Sequence, residues 1–176
     1  MSVSPIRGGP SQGLTLMELL VMLAIIAVLG TLAAPSFSAF IARGRVSGAA
    51  EALAQDLNLA RSESLRRNGD VTLSFSPGSA WCYGSVAGST ACSCATPSAC
   101  TLRQVDGSAY TGVTMAMGTP AFLGNATTFT ALQGLAKSGT VEFSHADAGA
   151  LRVRLSAQGQ IAVCVVAGRF SAYPAC

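Results

Sequence analysis

From Leu14 to Ala42 the chain carries a single charge, Glu18, in an otherwise uncharged and mostly apolar run. The part after the acid, Leu19 to Ala42, is 24 residues, roughly 36 Å as a helix and enough to span the hydrocarbon of a bilayer. A carboxylate inside hydrocarbon is disfavoured by roughly 2.5 to 3.5 kcal/mol on insertion scales. Glu18 therefore calls for a partner of opposite charge.

Two plainer accounts of the segment stand beside this one. A secretory signal peptide sets basic residues before a short apolar core and small residues at its cleavage site, an arrangement that Arg7 and Ala33-Ala34 permit. A simple signal anchor needs only the length of the run. Neither account explains an acid four residues beyond the first apolar residue after Gly13.

Composition agrees with an exported chain of one domain beyond the apolar segment: 50% of the residues are hydrophobic and only 11% charged. The net charge of +3 is too small to argue for nucleic acid by itself. All six cysteines, Cys82, Cys92, Cys94, Cys100, Cys164 and Cys176, lie past the apolar run, as disulfides formed in an oxidising periplasm would. Cys164 and Cys176 bracket the C-terminal tail, so a bridge between them is expected, worth about 3 kcal/mol by loop closure. The pairing among the other four stays open. A zinc site at Cys92-Ser93-Cys94 is the alternative, without a nearby histidine or paired Cys-x-x-Cys spacing to favour it.

Past Pro35 the pattern turns amphipathic. Val46, Ala50, Leu53, Leu57 and Ala60 recur at spacings of four and three, while Arg43, Arg45, Glu51, Asp56, Arg61 and Arg67 point elsewhere. The spacing predicts that the helix continues with one buried stripe. Glu63 and Arg67 form an i, i+4 pair, and Asn68-Gly69 supplies left-handed residues that end a helix near Arg67. Beyond it Val71/Leu73/Phe75, Val141/Phe143 and Leu151/Val153/Leu155 alternate, and Ser156-Ala157-Gln158-Gly159 turns the chain into Ile161 to Val166. The expected fold class is α+β, a long N-terminal helix packed on one twisted antiparallel sheet. The stretch 81–100 reads as a strand entering a disulfide-stapled loop, and 116–126 as an exposed connection.

Few residues suggest catalysis. His145, the only histidine, sits in the turn-like Ser144-His145-Ala146-Asp147-Ala148-Gly149, and neither a glycine-rich phosphate loop nor a nucleophile elbow is present. No enzymatic activity, cofactor or metal is expected. Trp81 and Tyr83 read as core or as a contact surface for another subunit. Arg152 and Arg154 alternate, so both emerge on one strand face, where Arg169 is a candidate third member of a basic patch; a solvated sheet face is the plainer reading.

A short polar leader ending at Gly13, then Leu14-Thr15-Leu16-Met17-Glu18, resembles the type III signal of type IV prepilins, with Leu14 in place of the commoner phenylalanine. The resemblance implies cleavage between Gly13 and Leu14 by the prepilin peptidase and N-methylation of Leu14. It also implies that Glu18 neutralises the terminal amine of a neighbouring subunit in a filament, and that Pro35 falls at a helix-bending position. The implied divisions are a leader over 1–13, a transmembrane and filament-core helix over 14–35, its amphipathic continuation over 36–67, and a periplasmic β domain over 68–176.

Leu59-Ala60-Arg61-Ser62-Glu63-Ser64-Leu65-Arg66-Arg67-Asn68 before a strand, and the C-terminal hairpin from Leu155 to Cys164, narrow the resemblance to the GspH/FimT family of minor pilins and type II secretion minor pseudopilins. This implies a bacterial inner-membrane, single-pass subunit with a periplasmic head that primes or caps a type IV pilus or pseudopilus. Its implied partners are other major and minor pilins or pseudopilins, the prepilin peptidase and the inner-membrane assembly platform. Some members of the FimT type bind DNA through a Gly-Arg-x-Arg motif; here Gly159-Gln160-Ile161-Ala162 lacks both arginines and Gly168-Arg169-Phe170-Ser171 keeps one. DNA uptake through Arg152, Arg154 and Arg169 is the alternative function.

Overall fold

The computed structural model describes Gly13 and residues 15–176, with the backbone alone for residues 31–36. The first twelve residues of the expected leader, the expected new terminus Leu14 and the Pro35 side chain lie outside the described residues. The chain divides into two units, Met1–Phe37 and Ser38–Cys176. One helix, α1 (Leu16–Arg67), contributes to each.

In the first unit, Thr15 starts the helix. Its Oγ1 accepts the Glu18 N–H at 3.3 Å and its carbonyl accepts the Leu19 N–H at 3.1 Å, the arrangement of an N-cap. The side chains of residues 16–30 are exposed along their whole length. Among the described residues no helix is long and apolar enough to cross a membrane.

The second unit, hereafter the head, builds its core on α1. Ala42, Val46, Ala49, Ala50, Leu53, Leu57 and Ala60 are buried on one stripe, which contains the whole expected set and widens it by two alanines. The helix stops at a left-handed Asn68, φ +50°. The Asn68 N–H reaches Leu65 O at 3.3 Å and the Gly69 N–H reaches Ser64 O at 3.1 Å, the paired bonds of a Schellman motif.

Eight strands follow: β1 (Val71–Ser76), β2 (Cys82–Ala87), β3 (Arg103–Asp106), β4 (Thr114–Met117), β5 (Ala126–Phe129), β6 (Gly139–His145), β7 (Gly149–Leu155) and β8 (Ile161–Gly168). They form two four-stranded antiparallel sheets, ordered β3-β2-β1-β5 and β4-β6-β7-β8. Here the structure corrects the expected single sheet. Side-chain alternation marks a strand without naming its partner, and β3, β4 and β5, of four residues each, are too short to alternate legibly. The stretch 116–126 is likewise more than an exposed connection: it holds the end of β4 and the buried Phe122, stacked on Phe75 with ring centroids 5.1 Å apart.

One apolar cluster gathers the α1 stripe with Leu73 and Phe129 of the first sheet and Val141, Phe143, Leu151 and Val153 of the second. Trp81 and Tyr83 are buried in it, Trp81 donating from Nε1 to Val113 O at 2.9 Å. The contact-surface reading of this aromatic pair therefore gives way to the core reading. β1 is buried on both faces because hydroxyls on its far side are satisfied locally: Thr72 Oγ1 lies 2.7 Å from Gly88 O, and Ser74 Oγ accepts the Cys92 N–H at 3.1 Å.

Every cysteine is bonded: Cys82 to Cys94, Cys92 to Cys100, and Cys164 to Cys176. Cys92-Ser93-Cys94 thus splits between two bridges, one fastening the 88–101 loop to β2 at Cys82 and the other closing the loop on itself at Cys100, and the thiolates a zinc ion would need are consumed. Gly84 makes room for one of them, since a Cβ there would lie 2.5 Å from Cys100 Sγ. The third bridge is the pair expected at the tail.

Candidate assembly surfaces

Glu18 lies in the first turn of α1 with its side chain exposed. Thr15-x-x-Glu18 also has the spacing of a capping box, a local signal that the sequence reading did not use. The acid is well placed there on its own account, because the N-terminal end of a helix favours negative charge.

The three arginines singled out from sequence are not brought together. Arg152 sits opposite Glu142 in the β6–β7 pairing and donates to it from Nε at 2.8 Å, so its charge is matched within the sheet. Arg154 is exposed two residues further on, opposite Ala162 of β8. Arg169 follows Gly168 at the other end of β8, about 20 Å away at about 3.3 Å per residue. What sequence alternation could not show is that an acid stands beside Arg152.

Arg169 belongs to a cavity of about 390 Å³ with Phe40, Arg43, Ser47, Glu51 and Tyr173. There the tail folds back on α1, Tyr173 donating its phenol hydrogen to Glu51. Burial, reinforced by that bond, pushes the phenol up to about 12. A second tyrosine is tied more deeply: Tyr83 donates to Asp56 Oδ2 at 2.8 Å, the same oxygen that Arg103 Nε approaches at 3.2 Å. Burial first, then Asp56, raises the Tyr83 pKa well above the usual phenol range.

The head has two distinct ends along the first sheet. At one, Val71, Ala87 and Phe129 lie side by side near the end of α1; at the other, Ser76, Cys82 and Asp106 do. The end marked by Asp106 holds a cavity of about 390 Å³ lined by Trp81, Tyr110, Val113 and Asp106. The Ser108 hydrogen bonds hold the Asp106 carboxyl below its ordinary range. His145, at the end of β6, lies near this region beside Gly112, its Nδ1 accepting the Asp147 N–H at 3.2 Å.

Residues 49–159 match the model of the family described as type II transport protein GspH. The chain belongs to the GspH family. The match runs from the buried stripe of α1 to the β7–β8 turn, so it identifies the head; Gly13, Glu18 and Arg169 lie outside it. Membership makes the chain a structural protein of the pilin and pseudopilin class, whose partners are other subunits of that class, and not an enzyme. The chain is also similar to the type IV minor pilin FimU of Pseudomonas aeruginosa in two crystal forms. In one the identity is 23%, over 69% of this chain and 90% of that one, with a TM-score of 0.49. In the other it is 24%, over 66% and 90%, with a TM-score of 0.46. No curated protein matches.

Proposed function

We propose that this GspH-family chain is a minor pilin or pseudopilin that primes or caps a type IV pilus or a type II secretion pseudopilus. On this reading residues 1–13 are removed by the prepilin peptidase, Leu14 is N-methylated, and residues 14–35 anchor the subunit in the inner membrane and then enter the filament core. Residues 36–67 continue the helix and carry the β domain, 68–176, in the periplasm. The observation that carries the reading is the exposed Glu18 in the first turn of an apolar helix directly after Gly13. An acid in that setting is stabilised by a cation supplied from outside the subunit, and a neighbour's new amine is one.

The test is the intact mass and N-terminal sequence of the protein from cells with and without the peptidase. The expected result is a peptidase-dependent terminus at methylated Leu14; an uncut chain, or one cut near Ala34, sinks the reading. Glu18→Ala is expected to leave membrane insertion intact and to lower incorporation into filaments at least severalfold.

The alternative of DNA uptake draws little support from a basic patch divided between two ends of a sheet, one arginine of which is matched by Glu142. Changing Arg152, Arg154 and Arg169 to Ala tests it. An unchanged salt-dependent shift of a DNA duplex removes it.

A further inference from the structure

We propose that the turn 130–135 docks this head onto the head of the next pilin subunit, with Leu132 entering an apolar pocket rimmed by a carboxylate. The proposal rests on the assembly reading above and adds the surface and the chemistry of its partner. Leu132 has φ +70°, and the Gln133 N–H closes on Ala131 O at 2.9 Å. That is a three-residue γ-turn of the strained, positive-φ kind. Glycine holds such a backbone without strain, yet the chain places a leucine there, 80% exposed. Strain of this sort persists only where the surroundings enforce it, and it gathers at functional surfaces.

The surroundings do enforce it. Ala131 N–H donates to Asp70 Oδ1 at 3.0 Å, Gly134 N–H to Thr130 O at 3.1 Å, and Thr130 N–H to Leu135 O at 2.8 Å. The tip is preorganised, which spares the ordering that a flexible loop would undergo on binding. It also has apolar company: Leu135 is 42% and Leu65 45% exposed, and a Cβ on Gly134 would lie 3.6 Å from Leu65 Cδ1.

Charge selects the partner. Beside the leucines stand Arg61, next to Gly134, and Lys137, in the cavity it shares with Leu135 and Asp70, while Arg66 and Arg67 follow Leu65 at the end of α1. Against these four cations stand two carboxylates. Glu63 is shared by Arg66 and Arg67, and Asp70 is held by the turn. A complementary surface is apolar at its centre and acidic at its rim. The head itself carries an acidic, aromatic rim at its opposite end, where the exposed Asp106 and the half-buried Tyr110 border a cavity floored by the core residues Trp81 and Val113. Unlike surfaces at opposite ends are what a heterologous, head-to-tail contact requires, and such contacts propagate into filaments.

The test is Leu132→Gly in the full chain, which removes the side chain while suiting the backbone. The expected result is a melting temperature equal to or above the parent's, with incorporation into sheared pili or pseudopili at least fivefold lower. A photo-crosslinking residue at position 132 is expected to join the head of a pilin-class subunit at a peptide containing aromatic and acidic residues. Parental incorporation of Leu132→Gly, or cross-links confined to non-pilin proteins, overturns the docking surface alone. A parent chain absent from filaments overturns the assembly reading, and this surface with it.

Discussion

A leucine held at φ +70° carries about 1 to 2 kcal/mol of unfavourable backbone energy, a sizeable share of the roughly 5 to 15 kcal/mol that stabilises a domain. Gly159, φ +74°, illustrates the opposite solution, since a Cβ there would meet Gly134 O at 2.5 Å and Arg61 Nε at 2.9 Å. Gly159→Ala is therefore expected to destabilise the head by at least about 1 kcal/mol in urea unfolding. Among the described residues Arg61 Nε itself is buried without a hydrogen-bond partner, packed under two glycine turns. Tyr173 yields a pH prediction. Its folded pKa of about 12 lies above the ordinary 10, so the neutral phenol bound to Glu51 contributes stability that is complete below pH 10 and lost as pH rises toward 12. Absorbance titration is expected to show a late phenol ionisation that Tyr173→Phe abolishes; an identical titration of the variant would refute the assignment. Glu63 has the reverse sign: Arg66 and Arg67 hold it at about 2, so its pairing persists above the ordinary carboxylate range and disappears only in strong acid.

Among the elements, α1 was the most legible. Its stripe, its stop at Arg67 and the Glu63–Arg67 pair follow from 3.6-residue periodicity and from Asn68-Gly69, all of which act within a few residues of each other. Leu53 is fully buried in that stripe, and Leu53→Ala is expected to lower unfolding stability by about 2 to 5 kcal/mol. The strands were legible where they are long and one-sided, as in β7, whose Leu151, Val153 and Leu155 are buried while Arg154 is exposed. β1 departs from that rule because both its faces are covered, and the short β3, β4 and β5 carry too few residues to declare a period. The tail bridge followed from its bracketing cysteines. Replacing Cys164 and Cys176 together by serine is expected to remove about 3 kcal/mol, the loop-closure contribution, in denaturant titration. The crossed pairing of Cys82, Cys92, Cys94 and Cys100 depends instead on where β2 and β3 hold the two ends of the loop.

For the head as a body, the deciding arrangements are long-range. Two sheets close over one helix stripe, and the first sheet, whose β1 is about 17 Å long over five residue steps, sets an apolar, basic tip and an aromatic, acidic pocket beyond its opposite ends. The same geometry separates Arg154 from Arg169 and sets Glu142 against Arg152, so a patch conceived along one strand dissolves in three dimensions. Helix extent, the buried stripe, the tail bridge and the family resemblance were readable from order along the chain, because each depends on residues near one another in sequence or on a motif. Strand partners, the second sheet, the cysteine pairing in the loop, the burial of Trp81 and the strained display of Leu132 were settled only in the folded chain. Each depends on contacts between residues far apart in sequence, and the free energy that selects them exists only when those residues meet.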